Sequence, residues 1–180
     1  MKNISKVIAV SLFLSAPAFA GGDNSALNGL LAASAGFSAP AAPAAAPANE
    51  AADRALASDV LDLGASNADF LASYAQGLGY KVFELDGGKM LTKPALLSHT
   101  TQVLRFPGIP ENWDAMIDFI GDLSGIHRNN HILIVVRGSS KISLKDKGLY
   151  ADFREVAEFA CRNAREWSKG DITMKFAFVP

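Results

Sequence analysis

Apolar positions in the second two-thirds of the chain recur at two spacings, and the alternation between them predicts an order of elements. Residues 66–80, SNADFLASYAQGLGY, open on an N-cap signal and place Phe70, Leu71, Tyr74 and Leu78 at helical intervals. Residues 81–85, KVFEL, alternate as a strand does, and DGG after them is a turn. Thr92 can cap a helix that carries Pro94 in its first turn and runs to about Leu104. RFPGIP, residues 105–110, breaks it. ENWDAMIDFIGDL, residues 111–123, has Trp113, Met116, Ile117, Ile120 and Leu123 on one helical side, with Glu111, Asp114, Asp118 and Asp122 on the face beside it. HILIVVRG, residues 131–138, is a continuous apolar run of strand length, as in a parallel strand buried on both faces. SSKISLKDKG reads as a basic loop. Leu149, Phe153, Val156, Ala160, Ala164 and Trp167 mark one face of a long helix, and DITMKFAFV, residues 171–179, closes the chain as an alternating strand.

Strands joined through helices pair in parallel by right-handed crossovers. The pattern therefore predicts an α/β domain with a three-stranded parallel sheet and helices packed on it, over residues 57–180. A stretch of that size buries an adequate single core without staples.

The chain upstream reads differently. Lys2 and Lys6, the short apolar run VIAVSLFL and the small-x-small Ala18-Phe19-Ala20 make residues 1–20 a secretory signal peptide, cut after Ala20. The run is too short to span a bilayer. The expected product is exported, to the periplasm in a cell with two membranes, with no membrane insertion after cleavage. Residues 21–56 are low in complexity and rich in Ala and Pro, with prolines at 40, 43 and 47, and are expected to be a disordered linker.

Composition removes several function classes. The chain is 49% apolar and 19% charged with a net charge of −1, so it carries no bulk signal for direct nucleic-acid binding. The single cysteine, Cys161, forms no intramolecular disulfide and sits in a helical pattern as an inert thiol. The motifs G-x-S-x-G, S-x-x-K and the P-loop are missing, and Gly77-Leu78-Gly79 precedes a strand rather than following one. His99, His127 and His131 lack metal-ligand spacing. No cofactor, metal or catalytic residue is expected, and the chain is read as a non-enzyme.

That leaves the acid row. Like charges three or four residues apart on an exposed helix repel by about 0.2–0.5 kcal/mol per pair. The row is either a solvated face or a negative surface kept on a rigid element for a basic partner.

The stretch FPGIPENWDAMIDFIGDL resembles the signature of the barstar family, intracellular inhibitors of barnase-type ribonucleases. The pieces that match are VFELDGGKMLTKPALL, RFP and NWDAMID, supported by ILIVVRG and DITMKFAFV, from Phe70 to Val179. The resemblance implies a three-stranded parallel α/β fold. It also implies that this helix and the loop before it plug a ribonuclease active site. On that basis Asp114 and Asp118 pair with arginines and lysines of a basic nuclease or toxin, standing in for RNA phosphates. Ile109, Glu111, Asn112, Trp113, Ala115, Ile117 and Asp122 share the partner-binding segment, and the free protein is a monomer.

The chain departs from the family pattern at several points. Ile109 and Pro110 stand where barstar has loop aromatics, and Ile117 replaces an aromatic between the two aspartates. The family's further acid on the later helix has no counterpart near Ala164, where Arg162 and Arg165 lie. Residues 81–180 carry fourteen Lys and Arg against twelve Asp and Glu, a net of +2, whereas barstar-like inhibitors are acidic. The alternative is an exported barstar-like binding module without ribonuclease inhibition.

Overall fold

The structure, a computed structural model, describes residues 45–180. The expected signal peptide, and the expected linker as far as residue 44, lie outside the described residues.

Three of the strands are those predicted from the pattern: β2 (Lys81–Asp86), β3 (His131–Arg137) and β4 (Thr173–Val179). A fourth, β1 (Val60–Asp62), corrects the expected three. Three residues are too few to show alternation. What makes β1 a strand is its parallel pairing with β4, Val60 opposite Phe176 and Asp62 opposite Phe178. The sheet is parallel throughout, in the order β1-β4-β3-β2. β4 is therefore an inner strand, buried from Met174 to Val179.

The helices are α1 (Ala45–Leu56), α2 (Ala65–Gly77), α3 (Lys93–Leu104), α4 (Trp113–Gly121), α5 (Leu123–His127), α6 (Ser139–Lys145) and α7 (Lys147–Trp167). Side chains alternate across a strand, so β3 feeds two cores. Ile132, Ile134 and Val136 pack with Leu96 and Leu104 of α3, Met116 and Ile120 of α4 and Phe153, Val156 and Ala160 of α7. On the other face, Leu133 and Val135 join Ala177 and Val179 under Ala52 and Leu56 of α1 and Ala68, Leu71 and Ala75 of α2.

Four further expectations are corrected. Residues 45–56 were assigned to the linker but form α1. Pro47 falls in its first turn, where a missing N–H breaks no helical bond, and Ala52 and Leu56 are buried. SSKISLK is helical, not a loop. Gly138, left-handed at φ 66°, turns the chain out of β3, and Ile142 of α6 is fully buried. On α2 the buried stripe is Ala68, Leu71, Ala72 and Ala75, while Phe70 and Leu78 are exposed. Trp167, at the end of α7, is exposed as well.

Candidate partner-binding face

The acid row is held in place by its neighbours in sequence. α3 ends at Arg105, left-handed at φ 58°. Phe106 then drops into the core against Phe119, ring centroids 5.4 Å apart. His127 of α5 donates a ring N–H to the Leu104 carbonyl at 2.8 Å, and Pro110 is buried. The loop thus arrives at Asn112 from a fixed direction. The Asn112 side chain accepts the Ala115 N–H at 2.8 Å, which starts α4. Met116, Ile120 and Leu123 are fully buried, and Trp113 and Ile117 are packed partly against the same core.

That rotation puts Glu111, Asp114, Asp118 and Asp122 in solvent, and none makes an ion pair with a described residue. The positive end of the α4 macrodipole favours Asp114, in its first turn. The remaining candidates have mixed placements. Ile109 is 62% exposed and faces outward beside Pro94 and Glu111. Ala115 is half-buried. The Asn112 side chain is committed to its cap. Trp113 is held from two sides: its Nε1–H donates to Asp152 at 3.3 Å, and the Lys93 ammonium lies 4.5 Å from its ring centroid.

Asp152 belongs to α7, which packs along α4. It brings two carboxylates, Asp152 and Glu155, beside the acid row, with Val156 and Phe159 between the helices. The apolar periodicity of this helix does not disclose them; Asp152 and Glu155 stand at i and i+3, next to the buried stripe.

Other polar clusters are structural. Lys175, 6% exposed, donates to Asp59 at 3.0 Å, and Arg165 pairs with the same carboxylate. Burial pushes the Asp59 carboxyl up, but these two bonds pull it below its ordinary value on balance. Burial, with Asp59 nearby, raises the Cys161 thiol to about 12, which leaves it protonated and unreactive. Among the described residues no three His, Cys, Asp or Glu side chains gather as a metal site requires, and no helix is long and apolar enough to cross a membrane.

The capped start of α4, the anchored loop before it and the exposed acid row thus lie together on one small parallel α/β unit. The family model described as Barstar (barnase inhibitor) matches residues 80–178, just over half of the chain, and the chain belongs to this family. Members of that family are described as barnase inhibitors, not enzymes. No curated protein matches the chain. The matched span begins at Tyr80, so α1, β1 and α2 lie ahead of it.

Proposed function

We propose that this protein inhibits a basic nuclease of the barnase type by seating α4 in the cationic active site. Asp114 and Asp118 then pair with the arginines and lysines that otherwise hold RNA phosphates. One observation carries this reading: the exposed row Glu111, Asp114, Asp118 and Asp122 has no cationic partner among the described residues. Its mutual repulsion is relieved when a cationic cleft covers it. The N-terminal Lys2, Lys6 and VIAVSLFL support export, so the target is met in the cell envelope or beyond it.

The test is titration of a barnase-type ribonuclease with the full chain. Inhibition at one-to-one stoichiometry is expected, with Asp118→Ala weakening it by at least ~2 kcal/mol. An Asp118→Ala variant that inhibits as well as the parent would refute this mode. The second reading, a binding module without inhibition, is favoured by exposed Ile109 in place of a loop aromatic and by Arg162 and Arg165 on α7. It predicts a partner captured equally by the parent and by an Asp114→Ala, Asp118→Ala double variant, with no ribonuclease slowed.

A further inference from the structure

The parallel strands end along one edge of the sheet, and the chain leaves that edge on opposite faces. From β1 it turns into α2 on one face, and from β3 into α6 and α7 on the other. β4 lies between those two strands. Open parallel sheets hold ligands at such a divide, beyond the carboxyl ends of the strands. Here it opens a crevice of about 580 Å³, a size suited to a small molecule. Leu63 after β1, Leu144 of α6, Tyr150 of α7 and Phe178 of β4 give it apolar walls. Leu144 is 86% exposed, the most of any large apolar side chain among the described residues. No residue of α4 lines the crevice, and its β1 side lies ahead of the family span.

The uncommitted polar groups are donors. Ser139 is 4% exposed and lines the crevice, yet its hydroxyl bonds to no described residue. Gly64, also on the lining, caps α2 without a side chain to accept the first-turn N–H groups. The Asn67 N–H turns back to the Gly64 carbonyl at 3.0 Å, which leaves those of Ala65 and Ser66 for a ligand. The Tyr150 hydroxyl accepts from Arg154 at 3.2 Å and keeps its own proton to donate. Asp62 is the one charged side chain on the lining, and Arg154 neutralises it through both oxygens, at 2.5 and 3.1 Å. Pro180 is exposed at the rim, so its carboxyl end is screened by water.

We propose that this crevice binds a small apolar carboxylate, its head at the donors of Ser139 and the first turn of α2, its body along Leu63, Leu144 and Phe178. Two independent observations select the head. A helix N-terminus without a side-chain cap carries about half a positive charge. Ser139, on a different element, lacks the acceptor that its burial calls for. A phosphate brings roughly two negative charges and finds no unpaired lysine or arginine on the lining. The walls select the body, because a bare ion leaves them in water.

The probe is octanoate, titrated into the isotope-labelled full chain and followed by NMR, with octanol and inorganic phosphate as comparators. The Ala65 and Ser66 amide signals should shift saturably with octanoate, at least roughly fivefold more weakly with octanol, and not with phosphate. The decisive variant is Gly64→Asp. The backbone at Gly64 is extended, at φ −68° and ψ 150°, and the nearest heavy atom to a Cβ there is Ser66 Oγ at 4.0 Å. Aspartate therefore fits and caps α2 with its own carboxylate. That variant should hold or gain stability in urea and lose octanoate binding at least roughly tenfold. Ser139→Ala removes a hydroxyl without a partner in the chain, so it should fold like the parent and bind octanoate at least roughly threefold more weakly. Unmoved amide signals, an octanol response equal to that of octanoate, saturable binding of phosphate, or full binding by either variant overturns the proposal.

Discussion

Asn112 fixes where the acid row begins. In sequence it was grouped with the partner contacts because it sits inside the family motif, but its side-chain oxygen is occupied by the Ala115 N–H. The Asn112 cap follows from the structure alone, since a motif does not say which of its residues face outward. Asn112→Ala should destabilise the protein by about 1 kcal/mol in urea unfolding. It should also weaken partner binding, because the first turn that orients Asp114 frays. The histidines give a second prediction at this scale. Nε2 of His99 accepts the Asp86 N–H at 3.0 Å, which only an unprotonated nitrogen can do. Burial first, then Lys89, holds its pKa below the ordinary value, against the pull of Asp86. His127 is lowered as well, by burial and then by Lys81 and Arg105, against its bond to the Leu104 carbonyl. With a depressed folded pKa, the unfolded chain takes the proton first. Stability is therefore full above the ordinary value of about 6.5 and is lost as pH falls through the folded values. The urea midpoint should drop from about pH 7.5 to about pH 5. His99→Gln, which keeps an acceptor, should shrink that drop; an identical pH profile in the variant would exclude His99 as a source.

At the scale of elements, α4 trades stability for its surface. Asp118 faces Asp114 and Asp122 one turn away on either side, and all three are exposed. Asp118→Asn removes two repulsive pairs at nearly equal helix propensity, so the free protein should gain about 0.4–1 kcal/mol. A raised urea midpoint together with lost partner affinity would mark the row as kept for binding. No gain in stability would mean that the charges are too well solvated to repel. α4 was legible because nine residues carry a clear apolar face and a cap. Elements that escaped the pattern lacked one or the other. β1 is only three residues long, and its strand state comes from pairing with β4. α6 spans seven residues with one fully buried apolar side chain, Ile142, so no period can be counted. Half of α1 is alanine, and its inward positions Ala52 and Leu56 stand out little from the alanines beside them. The groove between α4 and α7 depends on how two helices are docked, which neither helix encodes alone.

For the whole molecule, the residues ahead of the family span complete both the sheet and the charge. Residues 81–180 are net +2, but residues 45–80 bring five Asp and Glu against one Arg, which makes residues 45–180 net −2. Three of those acids reach across. Asp59 pairs with Lys175 and Arg165, Asp62 with Arg154, and Asp69 with Arg137. The neutralised cations leave the acid row of α4 less opposed, which favours steering toward a basic partner. The same residues cover apolar surface. Without α1 and α2, the face formed by Leu133, Val135, Ala177 and Val179 would be open to water. Without β1, β4 would become a bare edge, losing the bonds from Phe176 N–H to the Asp59 carbonyl and from Leu63 N–H to the Phe178 carbonyl. Lys175 would also be left buried without its carboxylate, a loss of about 3 kcal/mol or more. A fragment of residues 80–180, although it holds the whole of the family match, should therefore bind a hydrophobic dye, aggregate and lack a cooperative urea transition. Residues 45–180 should unfold cooperatively as a soluble species. Size exclusion and circular dichroism of the two fragments decide it: a soluble, cooperative 80–180 would mean that the second face is covered in some other way and that α1, β1 and α2 are dispensable to the fold.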